Sequence, residues 1–240
     1  MRMLTQSSGL VVSALGIAQT LAWGSTYYLP AVFADPVSDV LGLPRIWFFA
    51  AFAVALLLSG MLGPMAGRMI DRHGGRDILS LSSLLFAAGL VLLSLSTGPL
   101  GLAAAWLILG LGMGCGLYEA AFATLVGLYG HEARKPISGV TLFAGFASTI
   151  GWPLSALFIE ALGWRGACMA WAALHIVVGL PLNRFLLPKG SFHLPADMPG
   201  EVRESAVSWT MIILACVFGA TWFVSTALAA HLPRLLEALG

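Results

Sequence analysis

Charged positions along the chain fall in clumps, and long apolar runs separate the clumps. No charged residue lies within 3–34, 46–67, 78–118, 136–159, 166–183 or 205–233. A helix that crosses a bilayer needs about 20 predominantly apolar residues. The run 78–118 therefore holds two, on either side of the breaker Thr97-Gly98-Pro99. The pattern predicts seven spans, at 9–33, 46–66, 78–96, 100–128, 136–159, 166–187 and 207–230. Turn chemistry marks the borders. Asp35-Pro36 and Leu43-Pro44 bracket the first connection, Gly74-Gly75 sits in the second, Lys135-Pro136 opens the fifth span and Pro188 closes the sixth. The longest polar stretch, 188–206, holds Lys189, Asp197, Glu201, Arg203 and Glu204 and reads as a solvent-exposed linker.

Composition sharpens this picture. Of 240 residues 59% are hydrophobic and 10% charged, with a mean hydropathy of +0.91. A soluble domain carries about a quarter charged residues, so a water-soluble globule is excluded and the lipid bilayer is the expected surroundings. The net charge of +1 offers no basic field to nucleic acid. Cys115, Cys168 and Cys216 lie in apolar spans without paired spacing, which implies neither a disulfide framework nor a metal site. The first apolar run is longer than the ~7–15 residues of a signal-peptide core and carries Gln19, Trp23, Tyr27 and Tyr28, so it reads as a retained helix.

With the N-terminus inside, the cytoplasmic segments collect Arg2, Arg68, Arg72, Arg76, Arg134, Lys135, Arg184, Lys189 and Arg203, against Arg45, Arg165 and Arg234 outside. This excess places the N-terminus in the cytoplasm by the positive-inside rule, in a cell membrane, inner or plasma. The first span contains Gly24-Ser25-Thr26-Tyr27-Tyr28 and the seventh Gly219-Ala220-Thr221-Trp222-Phe223. Transporter folds are often two related halves whose first helices correspond. On that view residues 1–187 are a six-helix bundle, 188–206 a cytoplasmic linker and 207–240 the first helix of a second half. The remainder of that half is an expected partner, about five further helices.

The most informative segment is Gly67-Arg68-Met69-Ile70-Asp71-Arg72-His73-Gly74-Gly75-Arg76-Asp77, between the second and third spans. It resembles the G-x-x-x-D-R-x-G-R-[RK] signature of the major facilitator superfamily, with glycine following Gly74. The resemblance implies an all-α membrane protein, an MFS-type transmembrane bundle with the six helices of the N-terminal half plus a seventh. It also implies a gating loop that latches the two halves on the cytoplasmic side, with Gly67, Asp71, Arg72, Gly74 and Arg76 in that role. The chemistry suits a latch. Gly67 admits a neighbouring helix, Gly74 and Gly75 permit positive φ, and Asp71 accepts from Arg72 or Arg76 or caps a helix N-terminus.

Other signatures of the superfamily are missing. The drug-antiporter motif places arginine four residues before glycine, where Trp106 precedes Gly110 here, and Pro188-Lys189-Gly190 lacks the sugar-porter pattern. The turn Gly163-Trp164-Arg165-Gly166 is similar to one in monocarboxylate and oxalate–formate type members.

The fourth span carries Gly110, Gly112, Gly114 and Gly116, which read as close-packing positions, followed by Tyr118-Glu119. An acid at the bilayer centre costs about 2.5–3.5 kcal/mol on insertion scales. Two readings of Glu119 stay open. It faces an aqueous cavity and exchanges protons, burial penalising its charged form, or it pairs with Arg72, Arg76 or Arg134. In the first span Gln19 and Trp23 share a helix face that Thr26 and Tyr27 continue. Cavity lining or interfacial anchoring accounts for such a stripe. Tyr28 and Trp47 read as anchors, Trp222 inherits the reading of Tyr27, and the lone His175 and His231 read as packed or interfacial.

Gln19, Trp23, Tyr27, Tyr118, Glu119 and Trp222 thus form the candidate substrate or proton pathway. The expected function is a secondary transporter moving a small-molecule solute by alternating access, with protons as a candidate coupling ion and no cofactor. The alternative is a seven-helix membrane receptor or another non-transport membrane protein. Lys135 and Lys189 both lie in loops, which removes a retinal pump, and no G-x-S-x-G, H-E-x-x-H or P-loop suggests an enzyme.

Overall fold

The structure, a computed structural model, describes residues 8–189 and 209–239. It divides into two units, Met1–Phe192 and His193–Gly240. All regular elements among the described residues are helical. The stretches Arg45–His73, Gly75–Ser94, Pro99–Phe185 and Trp209–Leu228 are long and apolar enough to cross a bilayer. Of the 188–206 linker, all but Pro188 and Lys189 lies outside the described residues.

The first span is two helices, α1 (Ser8–Ser25) and α2 (Pro30–Leu41). Pro30 supplies no N–H and opens α2, so the ladder is interrupted after Ser25. Tyr28 N–H instead reaches back to Trp23 O at 3.0 Å. The border expected at Asp35-Pro36 does not exist. Both residues lie inside α2, which runs to a left-handed Gly42. Pro36 lies inside that helix without ending it, and Pro44, one residue before α3 (Arg45–His73), makes the true boundary.

The second connection is a single residue. Gly74 has φ 85° and donates its N–H to Ile70 O at 2.7 Å, and α4 (Gly75–Ser94) starts at once. The fourth span breaks at Leu117 into α5 (Pro99–Gly116) and α6 (Tyr118–Tyr129). After a short 3₁₀ turn, the fifth span opens with α7 (Arg134–Ala144) and continues into α8 (Ala147–Leu174). Gly163, at φ 69°, divides α8 into two arms. Ser155 and Trp171 would lie about 24 Å apart along a straight helix. They are instead joined by a 3.1 Å hydrogen bond, so the arms double back. The turn expected at 163–166 is there. A π-turn, His175–Gly179, leads to α9 (Leu180–Phe185).

Glycines set the helix crossings. On α5 a Cβ at Gly110 would come 2.8 Å from Ala55 O, and one at Gly114 2.9 Å from Leu62 Cβ, both on α3. Gly112 and Gly116 face α4 instead, where a Cβ would run into Phe86 and Ser82. Residues four apart share a helix face, so α5 presents one glycine pair to each neighbour, and the close-packing expectation for these four holds. A core of Val11, Leu15, Ile70, Ile78, Leu79, Leu125, Val140 and Leu187 closes the bundle at the end that carries the 67–77 turn.

In the second unit α10 (Trp209–Leu239) is continuous through 219–223, whereas the matching 24–28 segment lies at the break of the first span. One local feature is common to both. Thr26 Oγ1 bonds Ala22 O at 2.6 Å and Thr221 Oγ1 bonds Val217 O at 2.9 Å.

Candidate functional site

Two discontinuous helices meet inside the first unit. On α1, Gln19 is 2% exposed and donates Nε2–H to Gly116 O, the last residue of α5, at 2.7 Å. A carbonyl only accepts, so this bond fixes the orientation of the amide. Gln19 Oε1 is then left buried and without a hydrogen-bond partner among the described residues. Leaving such an acceptor unsatisfied costs about 1–3 kcal/mol.

Aromatic rings extend the site along the same face of α1. The Trp23 ring lies 4.8 Å from that of Tyr118 and 5.0 Å from that of Tyr27. Tyr27 continues to Tyr28 at 5.3 Å and to Phe52 of α3 at 6.1 Å, while Tyr118 stacks on Phe122 at 5.0 Å. Tyr28 is therefore more than an anchor. Its ring packs on Trp152 at 5.9 Å, and its carbonyl accepts from Trp152 Nε1 at 3.1 Å. Trp47, by contrast, is 54% exposed, as an interfacial anchor would be.

Glu119 departs from expectation. The hydropathy pattern predicts it deep in a continuous span, but the break at Leu117 puts it in the first turn of α6. Its side chain is exposed within this unit and forms no ion pair with Arg72, Arg76 or Arg134. No side chain caps the α6 N-terminus, and the first N–H groups of a helix have no partner inside it. Trp222 lies in the second unit, half-exposed, its carbonyl accepting from Thr226 Oγ1.

The expected gating residues gather at one end of the bundle. Asp71 and Arg72 are exposed at the end of α3, and Arg76 is half-buried in the first turn of α4. Asp71 makes no ion pair among the described residues; within the 67–77 turn the paired acid is Asp77, with Arg184 of α9. The close-approach glycine also differs. A Cβ at Gly67 would meet nothing within 4 Å, whereas one at Gly75 would fall 1.8 Å from Thr124 Oγ1 of α6. Asp71 and Phe52 are 19 residues apart on α3, about 28 Å along the helix, so loop and aromatic cluster are separate features.

Sequence reasoning missed a buried polar seam. Ser25 Oγ and His175 Nε2 are 2.7 Å apart, and the imidazole packs on Phe86 at 5.0 Å. Asn183 Nδ2 reaches Leu79 O at 3.1 Å and Ser83 Oγ at 3.0 Å. At the end opposite the 67–77 turn, Arg165 bonds Ser96 O at 2.9 Å and lies 4.2 Å over the Trp164 ring.

Comparison with known proteins agrees with this architecture. The sequence profile described as Major Facilitator Superfamily matches residues 7–240. An "Uncharacterized 38 kDa protein in 23S RNA operon" from Thermoproteus tenax is 26% identical over 228 residues, 94% of this chain and 57% of that protein. Monocarboxylate transporter 6 of Mus musculus is 28% identical over 227 residues, 90% of this chain and 47% of its own length. Monocarboxylate transporter 3 of Rattus norvegicus is 32% identical over 128 residues, 50% of this chain and 25% of its own length. Even the two broadest of these matches span only 57% and 47% of the relative's own length. With the apolar helices, the 67–77 turn and a profile match across nearly the whole chain, this is a multi-pass membrane protein that belongs to the major facilitator superfamily.

Proposed function

We propose that residues 1–187 form the N-terminal half of a secondary transporter, 188–206 its cytoplasmic linker and 207–240 the first helix of its second half. The transporter moves a small solute across the cell membrane by alternating access, without covalent chemistry, and couples that movement to protons. The observation that carries this reading is the junction of two broken helices, where Gln19 of α1 holds the α5 terminus and Trp23 packs on Tyr118. Substrate and ion sites in transporters are typically built at such discontinuities near the bilayer midplane. Several relatives are named monocarboxylate transporters, which makes a small carboxylate the substrate class to test first.

The charge bias supports a cytoplasmic N-terminus and therefore a cytoplasmic 67–77 turn. There Gly67, Asp71, Arg72, Gly74 and Arg76 act as the latch to the second half. The exposed Asp71 and Arg72 are free to pair across that interface. Gln19, Trp23, Tyr27, Tyr118, Glu119 and Trp222 line the pathway, with Glu119 as the proton-exchanging group.

Proteoliposomes containing the complete transporter, both halves together, test this with an imposed pH gradient. Uptake of a radiolabelled small monocarboxylate should rise above its equilibrium level, and a protonophore should abolish the excess. A correctly folded protein that moves no monocarboxylate under any gradient overturns the reading.

A further inference from the structure

We propose that the groove between α4 and α9 holds a phospholipid whose headgroup carries a net negative charge, with its phosphate on Arg184 and one acyl chain along Leu81 and Leu84. The inference needs only a membrane-embedded chain and stands whichever solute the transporter moves. The two parts of the lipid answer two separate features of the groove.

The chain answers the walls. The groove has a volume of about 440 Å³, with Leu81 and Leu84 of α4 facing Leu180 and Phe185 of α9. Leu81, Leu84 and Phe185 are exposed within this unit. Ser80 also lines the groove, but its hydroxyl donates to Arg76 O at 2.7 Å. A second groove, along α7 and the start of α8, differs in kind, with Ser138, Thr141, Gly145 and Thr149 in its lining. Small and hydroxyl residues suit a neighbouring membrane helix, whereas leucine is as apolar as a lipid tail. The α4–α9 groove has the second character.

The headgroup answers the rim. Asp77 lies in the first turn of α4, and Leu84 is seven residues further on, about 10 Å along the helix. Arg184 lies in the last turn of α9, one turn beyond Leu180. Both helices therefore bring charge to the same end and apolar side chains to the depth. Arg184 donates Nη1–H to Asp77 Oδ1. A guanidinium carries five N–H donors in a planar fork, so this pair leaves donors for phosphate oxygens. Both members of the pair are half-exposed, so it is weakly held. Lys189, exposed and four residues beyond α9, adds a second cation against the one acid. That balance selects a net-negative head over a zwitterionic one. The positive-inside bias sets this end in the cytoplasmic leaflet, where anionic lipids lie.

Quenching of a local fluorophore by brominated lipids tests the inference in the complete transporter, both halves together. Ala88, exposed and one helical turn beyond Leu84 on the same face of α4, takes a bimane as Ala88→Cys, in a background without Cys115, Cys168 and Cys216. Vesicles of phosphatidylcholine then receive dibrominated phosphatidylglycerol or dibrominated phosphatidylcholine. The otherwise wild-type protein should favour phosphatidylglycerol by about fivefold, the worth of one basic residue near an anionic head. Arg184→Gln should remove the preference. Asp77→Asn should keep or raise it, since the competing acid is gone. Opposite responses to these two variants separate a lipid site from an ion pair that is merely structural, whose loss from either side acts alike. Equal quenching by the two lipids, a preference that survives Arg184→Gln, or an equal fall in both variants overturns the inference. Quenching by neither lipid means that protein covers the groove, and does the same. Displacement of phosphatidylglycerol by soluble glycerol 3-phosphate makes the site one for a free phosphate, and also overturns it. If Arg184→Gln does not insert, the wild-type comparison and Asp77→Asn decide. None of these outcomes bears on the transporter reading.

Discussion

Gly24 and Gly151 meet backbone to backbone. A Cβ on Gly151 would lie 2.9 Å from Gly24 Cα, where α1 crosses α8 just before the break of the first span. Small residues allow such approaches between membrane helices, where packing rather than hydrophobic burial drives association. The crossing holds Trp152, the residue after Gly151, against the Tyr28 carbonyl. Gly151→Val should therefore separate the helices and disturb the aromatic cluster. The expected loss is about 1–3 kcal/mol, the usual cost of overpacking, read as a lower midpoint in detergent thermal unfolding. An unchanged midpoint would show that the crossing relaxes freely.

Gly75 and Gly67 provide a paired test at the 67–77 turn. Gly75→Ala pushes a methyl into Thr124, whereas Gly67→Ala meets open space within this unit. Gly75→Ala should lower the thermal midpoint and Gly67→Ala should leave it in place. The signature in the sequence directs attention to Gly67. Only the packing of α4 on α6 shows that Gly75 is the tighter position.

Asp71→Asn keeps the size of the side chain and removes its charge. If the exposed Asp71 pairs across to the second half, transport should fall severely while membrane insertion and expression stay normal. Wild-type uptake in a normally expressed variant would rule out a latch role. Asp77 and Arg184 behave differently. Their side chains are 58% and 42% exposed, so a double-mutant cycle with Asp77→Asn and Arg184→Gln should give a coupling of only about 0.2–1 kcal/mol.

Sidedness can be read with cysteines introduced into a background without Cys115, Cys168 and Cys216. Val40 is the outer probe, 58% exposed near the end of α2; Ser38 is 5% exposed and would react poorly wherever it faced. An impermeant maleimide added outside should label Val40→Cys and spare Ser191→Cys. The reverse pattern contradicts a cytoplasmic N-terminus.

The sequence made the spans legible because charge exclusion from the bilayer is a strong, one-dimensional signal. Charge gaps, Thr97-Gly98-Pro99 and the Gly163 turn all located real boundaries. The breaks within spans were harder. Pro30 announces one of them, but Leu117 lies in an apolar run, and its break appears only in its extended backbone, φ −85° and ψ −163°. Asp35-Pro36 misled for the opposite reason, since proline is tolerated inside α2. At the site, the spacing of Gln19 and Trp23 showed a shared face, and Tyr118 was a candidate by adjacency to Glu119. That Gln19 grips Gly116, or that Trp152 joins the cluster, depends on contacts between residues 97 and 124 positions apart. No local pattern carries those.

Proton coupling through Glu119 is tested most directly by Glu119→Gln in proteoliposomes, measured in two modes on one preparation. The amide keeps the shape and hydrogen-bonding capacity of the side chain and cannot titrate. Exchange of labelled for unlabelled substrate down its gradient should persist, while uphill accumulation driven by an inward proton gradient should disappear. Accumulation against the gradient that survives in the glutamine variant, and still follows the imposed pH difference, would contradict the account.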